Sequence, residues 1–235
     1  MRLGIMQPYF FPYLGYFSLI KHVDKFILFD TAQFIRHGWI ERNRILKPGG
    51  GWQYFSVPLC KHSQKTPINK IEINNQISWK SKILAQMVHY KKAPYYEAVI
   101  HLLQDIFQED FKDIVSFDCC SLKKVCDYLD IKTEITVFST MELHIEDANA
   151  PDEWALNICK SLPNTDEYWN PPGGKDFFDI NKYMDANINI CFQQVNLSEY
   201  KQGKNPFEKG LSIIDVMMYN SPSMIGMMLD DFTLL

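Results

Sequence analysis

The sequence predicts an α/β fold class: a three-layer, Rossmann-like, mostly parallel sheet with a helical insertion. Three observations lead there. Compact apolar runs at 3–6 and 26–30 flank a helical stretch at 13–22 and a short Val23-Asp24-Lys25 turn, which is the pattern of a βαβ unit. From residue 77 to about 129, apolar residues recur at three- and four-residue steps instead. The last third returns to a strand at 167–169, a turn at 170–175 and a further strand at 187–192. Residues 1–76 are therefore read as the N-terminal part of the α/β domain with its site loops, 77–130 as a helical insertion or subdomain, and 131–235 as the C-terminal part.

The first strand runs at once into a turn dense in aromatics and proline, Gln7-Pro8-Tyr9-Phe10-Phe11-Pro12-Tyr13, and then into a helix. Pro8 and Pro12 fix their own φ and bias Gln7 and Phe11 towards extended backbone, while Gly15 allows a close approach. After the second strand come a loop to Trp39, the segment 40–46, a glycine turn at 48–51 and an alternating strand at 52–59 that Pro58 ends. In the insertion, Trp79, Ile83, Met87 and Tyr90 share one spacing, as do Val99, Leu102, Leu103, Ile106 and Phe107, and then Leu122, Val125, Cys126 and Leu129. A β-rich run at 134–138 returns to the sheet, and 152–162 is amphipathic, with Asn149 or Asp152 near its start. The loop 193–206 is polar; 211–218 is apolar at helical spacing apart from Asp215, with Ser212 placed to cap or contact.

Composition narrows the function classes. The chain has 235 residues, a formal net charge of −4 and no long basic run, which argues against duplex nucleic acid as a partner. No apolar stretch approaches the roughly 20 residues of a membrane span, and no secretory signal pattern opens the chain, so a cytoplasmic protein without membrane insertion is expected. Six cysteines form no CxxC pair, and no metal site is expected. The methionine-bearing stretch 213–228 suits either a core or a homodimer face.

Ligands of open α/β sheets sit at the carboxyl ends of the strands, so two turns stand out. In the opening turn, Gln7 is a polar amide ending a buried strand and needs a partner. Tyr9 and Tyr13 are either core filler or a platform for a base or sugar ring. In the later turn, Gly173 and Gly174 can offer backbone N–H groups to phosphate, with Lys175 as a mobile charge, although Pro-Pro-Gly-Gly-Lys is also an ordinary surface turn. Between the two turns lie Arg36, His37, Arg42 and Arg44, with Trp39 and Asn43 interleaved. Arginine forks bind phosphate or carboxylate, or else pair with Glu41 and Asp30 on a solvated face. Asp30 ends its strand and either accepts from a ligand or caps the next loop. His37 is the candidate general base at neutral pH.

These residues resemble the WbqC-like protein family over nearly the whole chain. The likeness is carried by 5–17 at the start, by Asp24 with 26–30, Gln33-Phe34-Ile35, Gly38-Trp39-Ile40 and Arg42-Asn43-Arg44-Ile45, and later by 171–175, Phe192-Gln193 and 211–215. The resemblance implies a bacterial protein of surface-polysaccharide (O-antigen) gene clusters, suggested to transfer glycine or another acyl group to a sugar. One departure is that Leu197-Ser198-Glu199 precedes Tyr200 where relatives carry His-Pro. The expectation is thus a transferase that acylates or aminoacylates the amino group of a nucleotide-linked amino sugar. Such an enzyme needs an acyl donor of unspecified kind; His37, Asp30 and Gln7 would be its catalytic residues, and Tyr9, Tyr13, Arg36, Trp39, Arg42, Asn43, Arg44, Gly173, Gly174 and Lys175 would bind substrate. The alternatives are a nucleotidyltransferase or ATP-dependent ligase, to which the two-loop layout is loosely similar, and a non-catalytic assembly partner.

Overall fold

The computed structural model describes residues 1–235. Strands β1 (Arg2–Met6), β2 (Lys25–Leu28), β5 (Glu134–Val137), β6 (Glu167–Asn170) and β7 (Asn189–Val195) pair in parallel, and the short β8 (Phe232–Leu234) closes one edge antiparallel to β7. The order across the sheet is β5-β2-β1-β6-β7-β8. The chain builds outward from β1 in one direction, then returns to build β6 and β7 on its other side. That reversal leaves a crevice between the carboxyl ends of β1 and β6, the usual ligand position in open α/β sheets.

Helices cover both faces, which is why the strands read as nearly continuous apolar runs. On one face, α1 (Leu14–His22), α4 (Ile114–Tyr128), α7 (Ile213–Tyr219) and α8 (Pro222–Asp230) share a large core with Phe26 and Leu28 of β2. On the other, α5 (Glu153–Ser161) and α6 (Ile180–Asp185) pack on Leu3, Ile5 and Ile27. Within β6 the alternation is explicit: Tyr168 enters the second core and Trp169 the first. The helices α2 (Trp79–Met87) and α3 (Tyr96–Phe107) precede α4 and join the first core through Trp79, Ile83, Val99 and Leu103. A separate antiparallel hairpin, β3 (Arg42–Leu46) and β4 (Trp52–Ser56), packs its inner residues Asn43, Ile45 and Phe55 against that core.

Several details differ from the sequence reading: the strand expected at 26–30 spans Lys25–Leu28, and α6, α8 and β8 were not expected. The strand expected at 187–192 extends to Val195, because Gln193 is buried with its Nε2 donating to Ser18 Oγ at 3.0 Å and its neighbours pair with β8. The strand expected to reach residue 59 ends at Ser56. Phe11 is not extended: its φ is +38°, a left-handed value rare for a bulky residue. In the tail, Met217 and Met218 are core residues while Met224 and Met227 face solvent, and Ser212 caps α7. The tail's Asp215 is buried and accepts from Tyr90, Tyr200 and Gln202, so its charge is met by three donors. No helix is long and apolar enough to cross a membrane.

Candidate functional site

The opening turn is held by partners from distant parts of the chain. Asn43 Nδ2 donates to the carbonyls of Phe10 (3.2 Å) and Phe11 (2.7 Å), and Ser212 Oγ donates to Phe11 O at 2.7 Å. Ile213 N donates to Pro12 O at 2.8 Å, Phe10 N to Trp39 O at 2.9 Å, and Tyr16 Oη to Gln7 O at 2.8 Å. The rings of Phe10 and Phe11 meanwhile pack on Phe55 and Phe117. A left-handed Phe costs on the order of 1–3 kcal/mol and persists only where its surroundings over-determine it, as these donors do. Gly15 has its own reason: a Cβ there would stand 2.5 Å from the Tyr13 ring.

Directly beyond this turn, in the crevice between β1 and β6, lies a cavity of about 380 Å³. Its walls come from strand ends and the segments after them: Met6, Gln7 and Tyr9 from β1 onward, Phe29 after β2, Asn170 ending β6, and Phe177 and Phe178 beyond. Trp154 of α5 and Trp39 complete it. Tyr9 stacks on Trp39 with ring centres 5.8 Å apart, and Phe29 meets Trp154 at 5.7 Å, so both sides present flat rings. The wall carries no carboxylate, imidazole, amine or thiol. Its polar groups are the side chain of Gln7, exposed at the cavity, the amide of Asn170, whose Nδ2 bonds Tyr168 Oη, and tyrosine hydroxyls. Burial pushes the Tyr9, Tyr16 and Tyr168 phenols up, Tyr9 despite the nearby Arg44 charge, so all three stay protonated donors at neutral pH.

The expected site residues divide by position. Gln7, Tyr9 and Trp39 line the cavity. Arg44 stands one ring away, its guanidinium 5.5 Å from the centre of Trp39 and 5.2 Å from that of Trp52. Arg42 lies 4.2 Å over Tyr54 while donating to the Gly38 and His37 carbonyls. Tyr13 backs Tyr9, ring centres 6.4 Å apart, and buried Asn43 clamps the turn; neither forms the wall. Asp30 is buried with its carboxylate accepting from Ser139 N and Oγ, which ties the end of β2 to the turn after β5, away from the cavity wall.

Arg36 and His37 are exposed on the loop before Trp39, Arg36 donating to His62 O and His37 N to Glu41 Oε1; His37 has a φ of +60°. Gly173, Gly174 and Lys175 fall between the wall residues Asn170 and Phe177 without lining the wall themselves. Gly174 is closely packed, since a Cβ there would meet Asn170 Oδ1 at 2.7 Å, whereas a Cβ at Gly173 would meet nothing.

Phe29, Trp154, Asn170, Phe177 and Phe178 are among the wall residues that escaped the sequence reading. A signal existed for Asn170, a polar amide closing a strand of buried residues; Gln7, expected to be such a residue, instead lies just past the end of β1 and is exposed. Trp154 offered none, being one aromatic on an amphipathic helix. No group of three or more His, Cys, Asp or Glu is arranged to hold a metal ion.

A doubly covered, mostly parallel sheet with an aromatic cavity at its strand-order reversal defines a Rossmann-like α/β protein with a candidate small-molecule site. The chain belongs to the WbqC-like protein family, whose model matches residues 7–226, from the cavity residue Gln7 to within α8. The uncharacterized protein Rv1507c of Mycobacterium tuberculosis is 28% identical over 219 residues, covering 92% of each chain. No solved structure matches.

Proposed function

We propose that this protein is a transferase of bacterial surface-polysaccharide biosynthesis that acylates or aminoacylates the amino group of a nucleotide-linked amino sugar. The observation that carries the reading is the cavity at the β1/β6 crevice. It is apolar and aromatic enough to hold a ring, polar at Gln7 and Asn170, and has the Arg44 guanidinium just behind its wall residue Trp39. The wall's lack of charge favours a neutral amine over an ammonium ion, and only the neutral amine is a nucleophile towards an acyl carbon.

In this reading the side chains act by position. The Gln7 and Asn170 amides and the protonated Tyr9 hydroxyl orient the amine and donate to the oxyanion that forms as the acyl carbon becomes tetrahedral. Nitrogen–carbon bond formation frees one amine proton, which the exposed His37 on the adjoining loop is proposed to take; collapse of the tetrahedral centre then breaks the acyl carbon's bond to the donor's carrier group, which leaves with that proton from His37. Asp30, clasped by Ser139, keeps the ends of β2 and β5 in register behind the cavity.

The experiment is direct: incubate the purified protein with nucleotide-linked 3-amino and 4-amino sugars and a panel of acyl and aminoacyl donors, and read product mass. An acylated sugar nucleotide, abolished by Gln7→Ala, is the expected result. Release of pyrophosphate from a nucleoside triphosphate without an acylated product would favour the nucleotidyltransferase alternative instead.

A further inference from the structure

We propose that the outward face of the β3–β4 hairpin is the subsite for the nucleoside diphosphate half of the substrate, with the sugar half turned into the cavity; this rests on the function proposed above. The hairpin's inner positions Asn43, Ile45 and Phe55 are buried, and on the other face only Leu46, opposite Trp52 at the turn end, is buried as well. Strand alternation and the register Arg42↔Ser56 and Arg44↔Tyr54 put Arg42, Arg44, Tyr54 and Ser56 on the opposite face, with Trp52 two positions before Tyr54 on the same side. A hairpin packed on one side ordinarily turns polar residues to water. This one leaves Trp52 and Tyr54 38% and 39% exposed, beside Trp39 at 41%.

Rings and cations are interleaved across this surface. Arg44 lies between Trp39 and Trp52, Trp52 meets Tyr54 edge-on at 5.0 Å, and Arg42 covers Tyr54. Arg44 donates to Gly210 O at 3.2 Å, and its Nε–H is buried with no partner. Trp39 stacks on Tyr9 and both line the cavity, so the surface and the cavity are continuous.

Charge sets the orientation of the ligand. A diphosphate inside the uncharged cavity would lose its hydration with no cation to replace it, whereas at Arg42 and Arg44 it meets two guanidinium groups. From there the base reaches the faces and edges of Trp52 and Tyr54, and the sugar reaches Gln7 and Asn170.

The test titrates the intact protein with uridine, cytidine, thymidine and guanosine diphosphates, with pyrophosphate, and with nucleotide-linked amino sugars, by calorimetry and tryptophan fluorescence. Wild type is compared with Trp52→Ala, Tyr54→Ala and Gln7→Ala, with melting curves and light scattering as controls for folding and assembly. At least one nucleoside diphosphate is expected to bind, and Trp52→Ala to weaken it about tenfold, the scale of one lost base–aromatic stack. Gln7→Ala is expected to spare the nucleoside diphosphate and weaken only the sugar-linked form. Three results would overturn the subsite: loss of diphosphate binding in Gln7→Ala but not in the hairpin variants, pyrophosphate binding as tightly as every nucleoside diphosphate, or a change of assembly in Trp52→Ala with no effect on nucleotide. A protein that acylates amino sugars yet binds no nucleoside diphosphate also overturns the subsite while sparing the transferase reading. One that binds nucleotide through Trp52 but forms no product supports the subsite and removes that reading.

Discussion

Two turns face each other across the cavity, and they are built on opposite principles. The turn after β1 is buried, strained at Phe11, and tied by Asn43, Ser212, Ile213, Trp39 and Tyr16 to four other parts of the chain. The turn after β6 is largely exposed and held by its own short-range bonds, Gly174 N to Pro171 O, Lys175 N to Pro172 O and Phe177 N to Gly174 O. One side of the mouth is a fixed reference and the other is locally determined. A site with this asymmetry can hold a reacting group in place on one wall and adapt to the ligand on the other, through Phe177 and Phe178.

The most damaging way to break that contrast is Asn43→Ala, which removes the bonds to Phe10 O and Phe11 O and the one its Oδ1 accepts from Arg44 N. Loss of these buried bonds is expected to cost about 3 kcal/mol, read as a drop in Tm of roughly 6–12 °C, together with loss of ligand binding. The opposite turn should respond to bulk at one position only. Gly174→Ala drives a Cβ against Asn170 Oδ1 and the Phe178 ring and is expected to cost about 1–3 kcal/mol by chemical denaturation. Gly173→Ala meets open space and should stay within about 0.5 kcal/mol of wild type.

A third change sharpens the comparison from behind the fixed wall. Asp118 of α4 is fully buried, neither carboxylate oxygen has a partner, and burial, with Glu41 and Asp113 adding to it, holds its pKa well above the usual range. A carboxyl whose folded pKa is raised keeps its proton in the folded state while the unfolded chain releases it. Its contribution is therefore present below the unfolded value of about 3.9 and lost as pH climbs through the folded one. Asp118→Asn removes that loss, so it is expected to raise the Tm relative to wild type at pH 8 and to do so far less at pH 4. Melting curves across that pH range check the sign. The smallest effect is a rate: amide exchange should be slower at Phe10 and Ile213 than at Gly174 and Lys175, as read by NMR or mass spectrometry.

How far the sequence reached follows from what kind of signal each element carries. The βαβ opening, the α2–α4 helices and the strand at 134–137 declare themselves through local spacing. β8 is three residues long and exists by pairing with β7, and the end of β7 depends on Gln193 meeting Ser18, a partner 175 residues away. Phe11 illustrates the same limit, because the rule that residues before proline are extended is local and the donors overriding it come from residues 43 and 212. At the site, Gln7, Tyr9 and Trp39 were legible because each stands out in its own segment. The arginines were legible as a cluster, but their division between loop, hairpin face and cavity edge is a tertiary fact.

The most direct measurement follows the side-chain amides of Gln7 and Asn170 and the indole N–H of Trp39 by NMR, while the tightest-binding nucleotide-linked amino sugar is added. If the ligand sits between the two turns, all three signals move together and report one affinity. If saturating ligand leaves them still while shifts gather elsewhere on the molecule, the cavity between β1 and β6 is not the site.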